Sequence, residues 1–206
     1  MTGQINRGSK LGDIIYKMCN QDDIKTIVEI GTWNGMGSTK CIYDSIIENN
    51  KKDYLVYSLE SNQEFHNLAI NNLPPLVNFN LVLGKILEAC DTINLDLYND
   101  IFFQECSRDL QKSWLIKDID NYNKVKNVID IIPRVVDLLI LDGGEFSSLA
   151  EFNKLKDRTT YFILDDINTI KNFEIANIMR NSNNYQILFD CKNDRNGFLI
   201  SKQLFK

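Results

Sequence analysis

The sequence is short of the residues on which several kinds of chemistry depend. It holds one histidine, and its five cysteines, Cys19, Cys41, Cys90, Cys106 and Cys191, include no Cys-x-x-Cys pair. An odd number of scattered thiols builds neither a zinc knuckle nor a disulfide framework, and fits reduced thiols in a cytoplasmic setting. The lone His66 falls on a predicted helix and is expected on its surface, which leaves no Ser/His/Asp set or Cys/His couple to assemble. Positive charge is also wanting: 23 Lys and Arg stand against 28 Asp and Glu, a net charge of −5. Nucleic acids and anionic membranes demand a cationic footprint, so neither is expected as a partner. No run approaches the roughly 20 apolar residues of a membrane span, and residues 1–10 lack the apolar stretch of a signal peptide. What is present, 206 residues of which 44% are hydrophobic, suffices for the core of a single domain over 1–206.

Strand and helix signals alternate along the chain. Leu11, Ile14, Ile15 and Met18 recur at helical spacing behind Ser9, a candidate N-cap. Lys25–Ile30 reads as a strand that stops at Gly31, followed by a helix from about Gly37 to Glu48. Tyr54–Leu59 reads as a second strand ending in Glu60, Asn62–Leu73 as a helix closed by Pro74 and Pro75, and Leu81–Leu83 as a short third strand. Two nearly continuous apolar runs, Val135–Leu141 before Asp142 and Thr160–Leu164 before Asp165, are the pattern of strands covered on both faces. Ser148–Leu155 and Lys171–Asn181 read as helices, and Tyr185–Phe189 with Gly197–Ser201 as a closing antiparallel hairpin. The class is therefore α/β, a Rossmann-like doubly wound sheet that is mostly parallel. Residues 87–133 are too long for one crossover and are expected as a helical insertion between strands 3 and 4, holding Phe102, Phe103, Trp114 and Tyr122. It either closes a substrate site or supplies a packing layer or the interface of a homo-oligomer.

Ligands of open α/β sheets sit outside the carboxyl ends of the strands, and here those ends are acidic: Glu29 with Gly31, Glu60, Asp142, then Asp165 and Asp166. Gly31 and Gly35 let the first turn approach a ligand, and the helix start at Gly37 and Ser38 offers unpaired N–H groups to a carboxylate or phosphate. Glu60 is placed to accept hydrogen bonds from both hydroxyls of a ribose, which points to an adenosine ligand. A dinucleotide fits less well, because Trp33 occupies the second glycine of the Gly-x-Gly-x-x-Gly fingerprint.

The stretch Glu29-Ile30-Gly31-Thr32-Trp33-Asn34-Gly35 resembles the first motif of class I S-adenosylmethionine-dependent methyltransferases, in the form seen in catechol-type O-methyltransferases. Glu60 is similar to their ribose-binding acid, and Asp142-Gly143-Gly144-Glu145 and Asp165-Asp166 resemble their strand-four and strand-five motifs. The resemblance implies an O-methyltransferase of a small-molecule acceptor. It implies that Glu29, Gly31, Trp33, Gly35, Ser38, Glu60 and Asp142 hold S-adenosylmethionine, with Lys85 and Ile86 bordering the adenine. It also implies Mg²⁺ on Asp142, Asp165 and Asp166, as in catechol and sugar O-methyltransferases. Physically, three convergent carboxylates need a cation, or else a solvated or capping role for the strand-five pair. Glu145 departs from the pattern, standing where relatives place Lys or His, so Asp142 and Glu145 become the candidates for acceptor orientation and proton transfer. The run Leu141–Phe146 resembles methyltransferases of bacterial surface-saccharide clusters and favours a sugar hydroxyl. The alternative is a catalytically inactive nucleotide-binding or regulatory module on the same fold.

Overall fold

Apolar runs that end on glycine or aspartate become the strands of one twisted sheet. The computed structural model describes residues 5–88, 91 and 107–204, and among these seven strands are hydrogen-bonded in the order β3-β2-β1-β4-β5-β7-β6. The first five, β1 (Thr26–Ile30), β2 (Leu55–Glu60), β3 (Phe79–Leu83), β4 (Val136–Leu141) and β5 (Thr159–Asp165), run parallel. The closing hairpin of β6 (Tyr185–Cys191) and β7 (Phe198–Gln203) is antiparallel, β7 lying against β5. The expected doubly wound architecture is thus observed.

Why the central strands carry so little polarity follows from their cover. α1 (Lys10–Cys19) and α2 (Ser38–Glu48) pack on one face, where Leu11, Ile15, Ile42 and Ile46 meet Ile27, Val56, Leu138 and Ile163. α5 (Ser148–Leu155) and α6 (Phe173–Asn181) cover the other, where Phe152, Leu155, Ile175 and Met179 meet Val28, Leu139, Phe162 and Leu199. A strand buried on both faces gains most from being apolar at every position. α1 starts where the sequence placed its cap: Ser9 Oγ accepts from the Gly12 N–H at 3.1 Å.

Several boundaries, β6 running on to Cys191 among them, and one residue depart from expectation. β3 begins at Phe79, two residues early, because its pairing with β2 starts at Val56. β7 reaches Gln203, drawn out by its register with Tyr185 of β6. α6 begins at Phe173, and Lys171 belongs to the loop before it. His66, expected on the surface of α3 (Gln63–Asn72), is buried at 9% exposure, with Nε2 3.3 Å from the Leu81 carbonyl, because that side of α3 packs on the edge strand β3. Within the insertion, α4 (Arg108–Lys124) and a short 3-10 turn at Ile129–Ile131 are seen. Phe102 and Phe103 lie outside the described residues.

A candidate cofactor site at the strand ends

The chain runs from β1 outward to β2 and β3, then returns to place β4 on the other side of β1. That reversal opens a crevice at the carboxyl ends of β1 and β4, the place where open α/β sheets bind ligands. Gly31 sits at its floor with φ +103, accepted by the Leu59 carbonyl at 2.9 Å, and a Cβ there would lie 2.4 Å from the Asp142 carbonyl oxygen. Only glycine lets the ends of β1 and β4 come this close. Trp33 follows with φ 49, a left-handed conformation that costs a bulky residue about 1 kcal/mol or more. Two contacts offset it: the Trp33 N–H donates to Glu60 Oε2 at 2.7 Å, and its ring meets Phe65 edge-on at 6.2 Å.

Glu60 is the pivot of the crevice. Its second oxygen accepts from the Asn62 N–H at 2.8 Å, so two backbone donors fix the carboxylate at the cavity wall. Burial pushes it up to about 7, against the pull of those N–H groups. The cavity itself has a volume of about 350 Å³, within the range of small-molecule sites. Of the expected residues, Gly31, Trp33, Glu60, Lys85, Ile86 and Asp142 line it. Glu29, Gly35 and Ser38 stand behind it. Glu29 is fully buried, accepts from the Thr39 and Ser58 hydroxyls, and is pushed by burial to about 7; Ser38 donates to Asp142 Oδ2 at 3.1 Å. Glu29 ties the end of β1 to α2 and β2, and Ser38 ties α2 to Asp142 after β4, so neither side chain lines the cavity itself.

Sequence reasoning missed one wall of this cavity. α4 lies across it and contributes Trp114, Lys117, Asp118, Asn121 and Tyr122. This helix of the insertion both lines the cavity and, through Tyr122, packs on the core. Its anchor is a buried pair: the Tyr122 hydroxyl donates to Glu151 Oε1 at 3.0 Å. Four carboxyl groups, Glu60, Asp118, Asp142 and Glu151, line the cavity with two ammonium groups, Lys85 and Lys117. Lys85 is itself bridged to Glu88 at 3.2 Å. Burial raises Glu151 to about 7, and burial together with the neighbouring Glu145 raises Asp118 to about 6.

Raised carboxyls couple stability to pH. Between its ordinary value of 4.5 and about 7, Glu151 holds a proton in the folded chain that the unfolded chain has released. The stability it contributes is complete below that window and is lost as pH rises through it. Glu151→Gln, which keeps an acceptor for Tyr122 and removes the buried charge, should therefore raise the melting temperature at about pH 8.5 and leave it nearly unchanged at about pH 4.5. Thermal melts of both proteins at the two pH values check this; equal shifts at both would refute it.

The ends of β4 and β5 hold the expected acidic set, but differently partnered. Lys171 Nζ lies 2.8 Å from Asp142 Oδ1 and 3.3 Å from Asp166 Oδ2. Arg195 Nη2 lies 3.1 Å from Asp165 Oδ2 and 3.7 Å from Asp166 Oδ1. Burial works against the Lys171 ammonium, and Asp142, Asp166 and Asp165 outweigh it, holding it protonated well beyond its ordinary range. Burial and the neighbouring Asp142 raise Asp165. The magnesium ion expected on Asp142, Asp165 and Asp166 does not fit this arrangement, because one oxygen of each is already turned onto an ammonium or a guanidinium that occupies the space between them. Among the described residues no group of three His, Cys, Asp or Glu is arranged to hold a metal. Glu145 is half-buried, accepts from Thr169 Oγ1 at 3.4 Å, and is raised by burial, with Lys171 opposing.

No protein-family model and no curated protein matches this sequence. Solved structures do match its fold. An O-methyltransferase from Bacillus cereus in complex with S-adenosylhomocysteine superposes with a TM-score of 0.57 at 11% identity, over 98% of this chain and 84% of that one. A methyltransferase of Podospora anserina with the same ligand gives 0.55 at 10% identity, over 95% and 78%. One from Geobacter sulfurreducens gives 0.55 at 12%, over 95% and 80%. The chain has the Rossmann-like methyltransferase fold. Within that fold the crevice between β1 and β4, with the Gly31 turn on one side and Glu60 on the other, is the cavity described above. No helix among the described residues is long and apolar enough to cross a membrane.

Proposed function

We propose that this chain is a single-domain, cytoplasmic S-adenosylmethionine-dependent O-methyltransferase of a small-molecule acceptor. The observation that carries the reading is Glu60: a carboxylate pinned by two backbone N–H groups at the wall of a strand-end cavity, opposite a glycine turn, with net acidic lining. A ribose offers two hydroxyl donors to such a carboxylate. A sulfonium and an amino group suit the carboxylates, whereas the pyrophosphate of a dinucleotide would be repelled by them and obstructed by Trp33. Two solved structures of this fold, from Bacillus cereus and Podospora anserina, carry S-adenosylhomocysteine, which supports the reading.

When bound, S-adenosylmethionine supplies an electrophilic methyl group on sulfur. The chain's part is binding, orientation and proton handling. Gly31 and Trp33 hold the methionine end, Glu60 the ribose, and Lys85 with Ile86 the adenine, under the roof of α4. Asp142, fixed by Ser38 on one oxygen and Lys171 on the other, orients the acceptor hydroxyl. In this reading Glu145, whose carboxyl burial raises, takes the acceptor's proton. The acceptor proposed is a saccharide hydroxyl, on the resemblance of residues 141–146.

The test is transfer of a labelled methyl group from S-adenosylmethionine to a panel of sugars, nucleotide sugars and catechols. Transfer to a sugar that falls at least about 100-fold in Asp142→Asn is the expected result. Transfer undiminished in that variant would remove Asp142 from the site, and transfer to catechols alone would replace the acceptor class.

A further inference from the structure

The acidic set at the ends of β4 and β5 carries its own cations, and the loop that delivers the first is clamped. Lys171 is 5% exposed and precedes Asn172, which is fully buried. The Asn172 side-chain amide donates to the Leu141 carbonyl at 3.1 Å and to the Asp165 carbonyl at 2.5 Å, stitching the loop across the ends of both strands. The Lys171 N–H is held by Thr169 Oγ1 at 3.3 Å. With its backbone fixed on both sides, the side chain reaches the space between Asp142 and Asp166 and fills it. From the hairpin, Arg195 closes the far side against Asp165.

We infer that Lys171, seconded by Arg195, is the resident cation of this site, and that Asp142, Asp165 and Asp166 do not take up a divalent metal ion. Three carboxyl groups, with Glu145 beside them, already face an ammonium and a guanidinium, and this neutralisation removes much of what would repay the dehydration of Mg²⁺. A magnesium ion about 2.0–2.1 Å from oxygens of Asp142 and Asp166 would overlap an ammonium nitrogen already at hydrogen-bond distance from both. Glu145 feels the same pair: Lys171 opposes, and Asp166 adds to, the raising of its carboxyl by burial. Lys171 is in these terms a positioning residue that acts through Asp142. The inference rests on the methyltransferase reading only for what Asp142 does; the charge pairing stands apart from it.

Mn²⁺ alone is the probe, followed through the paramagnetic resonance of the free ion, with the intact chain. Wild type at millimolar Mn²⁺ should leave that signal undiminished, and S-adenosylmethionine affinity should be the same in Mg²⁺ and in EDTA. Lys171→Met should bind one Mn²⁺ at least about 100-fold more tightly than wild type, since a unit positive charge beside the ion's place has gone. Asp166→Asn in that background should abolish the gain, and Lys171→Arg, which keeps the cation, should not show it. If Lys171→Met folds poorly, the melting temperature of the variant should rise by several degrees on adding Mn²⁺, a rise absent from wild type. Stoichiometric Mn²⁺ binding by wild type that Asp165→Asn removes would overturn the inference. So would a Lys171→Met variant that neither binds Mn²⁺ nor gains stability from it. Loss of S-adenosylmethionine binding with the metal results intact would instead count against the methyltransferase reading.

Discussion

Gly31→Ala should abolish binding of adenosyl ligands and lower stability by on the order of 3–5 kcal/mol, among the largest effects open to one methyl group. Two costs add. The backbone at φ +103 is one that side chains rarely adopt, and the new Cβ would stand 2.4 Å from the Asp142 carbonyl oxygen and 2.7 Å from Gly143 Cα. Both obstacles are backbone, so no rotamer relieves them, and the ends of β1 and β4 must part. The N–H of Asp142 bonds to the Ile30 carbonyl at 3.0 Å, so parting them also opens the floor of the cavity. Gly37→Ala is the comparison: a Cβ there meets only Ile5 O, at 3.8 Å, so its cost is confined to a helix N-cap whose ψ of −129 lies outside the common regions of other residues. It should cost about 1–3 kcal/mol, less than Gly31→Ala, and should leave the floor of the cavity closed. Denaturant melts with ligand titrations on both variants decide the matter, and similar behaviour of the two would show that the close crossing of β1 and β4 is not what the glycine serves.

For Glu60→Gln the expectation is a roughly 100-fold loss of S-adenosylmethionine affinity in a chain that still melts cooperatively. A carboxylate oxygen accepting from a ribose hydroxyl is worth about 1.5–3 kcal/mol, and the amide keeps one acceptor only. The amide also turns its NH₂ toward either the Trp33 or the Asn62 N–H, donor against donor. Since burial holds Glu60 near 7, protonation below that value weakens the carboxylate in the same direction, and wild-type affinity should fall as pH drops through about 7. The variant has no such carboxyl and should show a flatter profile. Calorimetry across this range checks both, and an affinity unchanged by the substitution would place the ribose elsewhere.

Much of this architecture could be read from the sequence because its physical causes are local. Strands β4 and β5 are apolar throughout because helices cover both their faces, and each ends where a glycine or aspartate halts the run. The Gly31 turn and Glu60 were legible for the same reason: one needs a missing Cβ, the other a carboxylate at a strand end. What escaped depends on contacts between distant segments. Lys171 reaches Asp142 across 29 residues, and Arg195 reaches Asp165 across 30, and neither stands in a pattern that a lysine or arginine elsewhere lacks. The metal expected on Asp142, Asp165 and Asp166 was inferred from three carboxylates whose cations the sequence does not reveal. α4 was equally opaque. It buries only Gln111 and Tyr122 and exposes Ile116, so its amphipathic signal is weak, and its purpose shows only when Trp114, Asp118 and Tyr122 are seen on the cavity. His66 went the other way, read as surface because no sequence rule showed which side of α3 would meet β3.

Calorimetric titration of the purified chain with S-adenosylmethionine, S-adenosylhomocysteine and NADH, each with Mg²⁺ and with EDTA, tests the central claim most directly. The account predicts that both adenosyl ligands bind at one site per chain, equally with and without the metal, and that NADH does not. Binding of NADH in preference to them, or binding of none of the three, would contradict it.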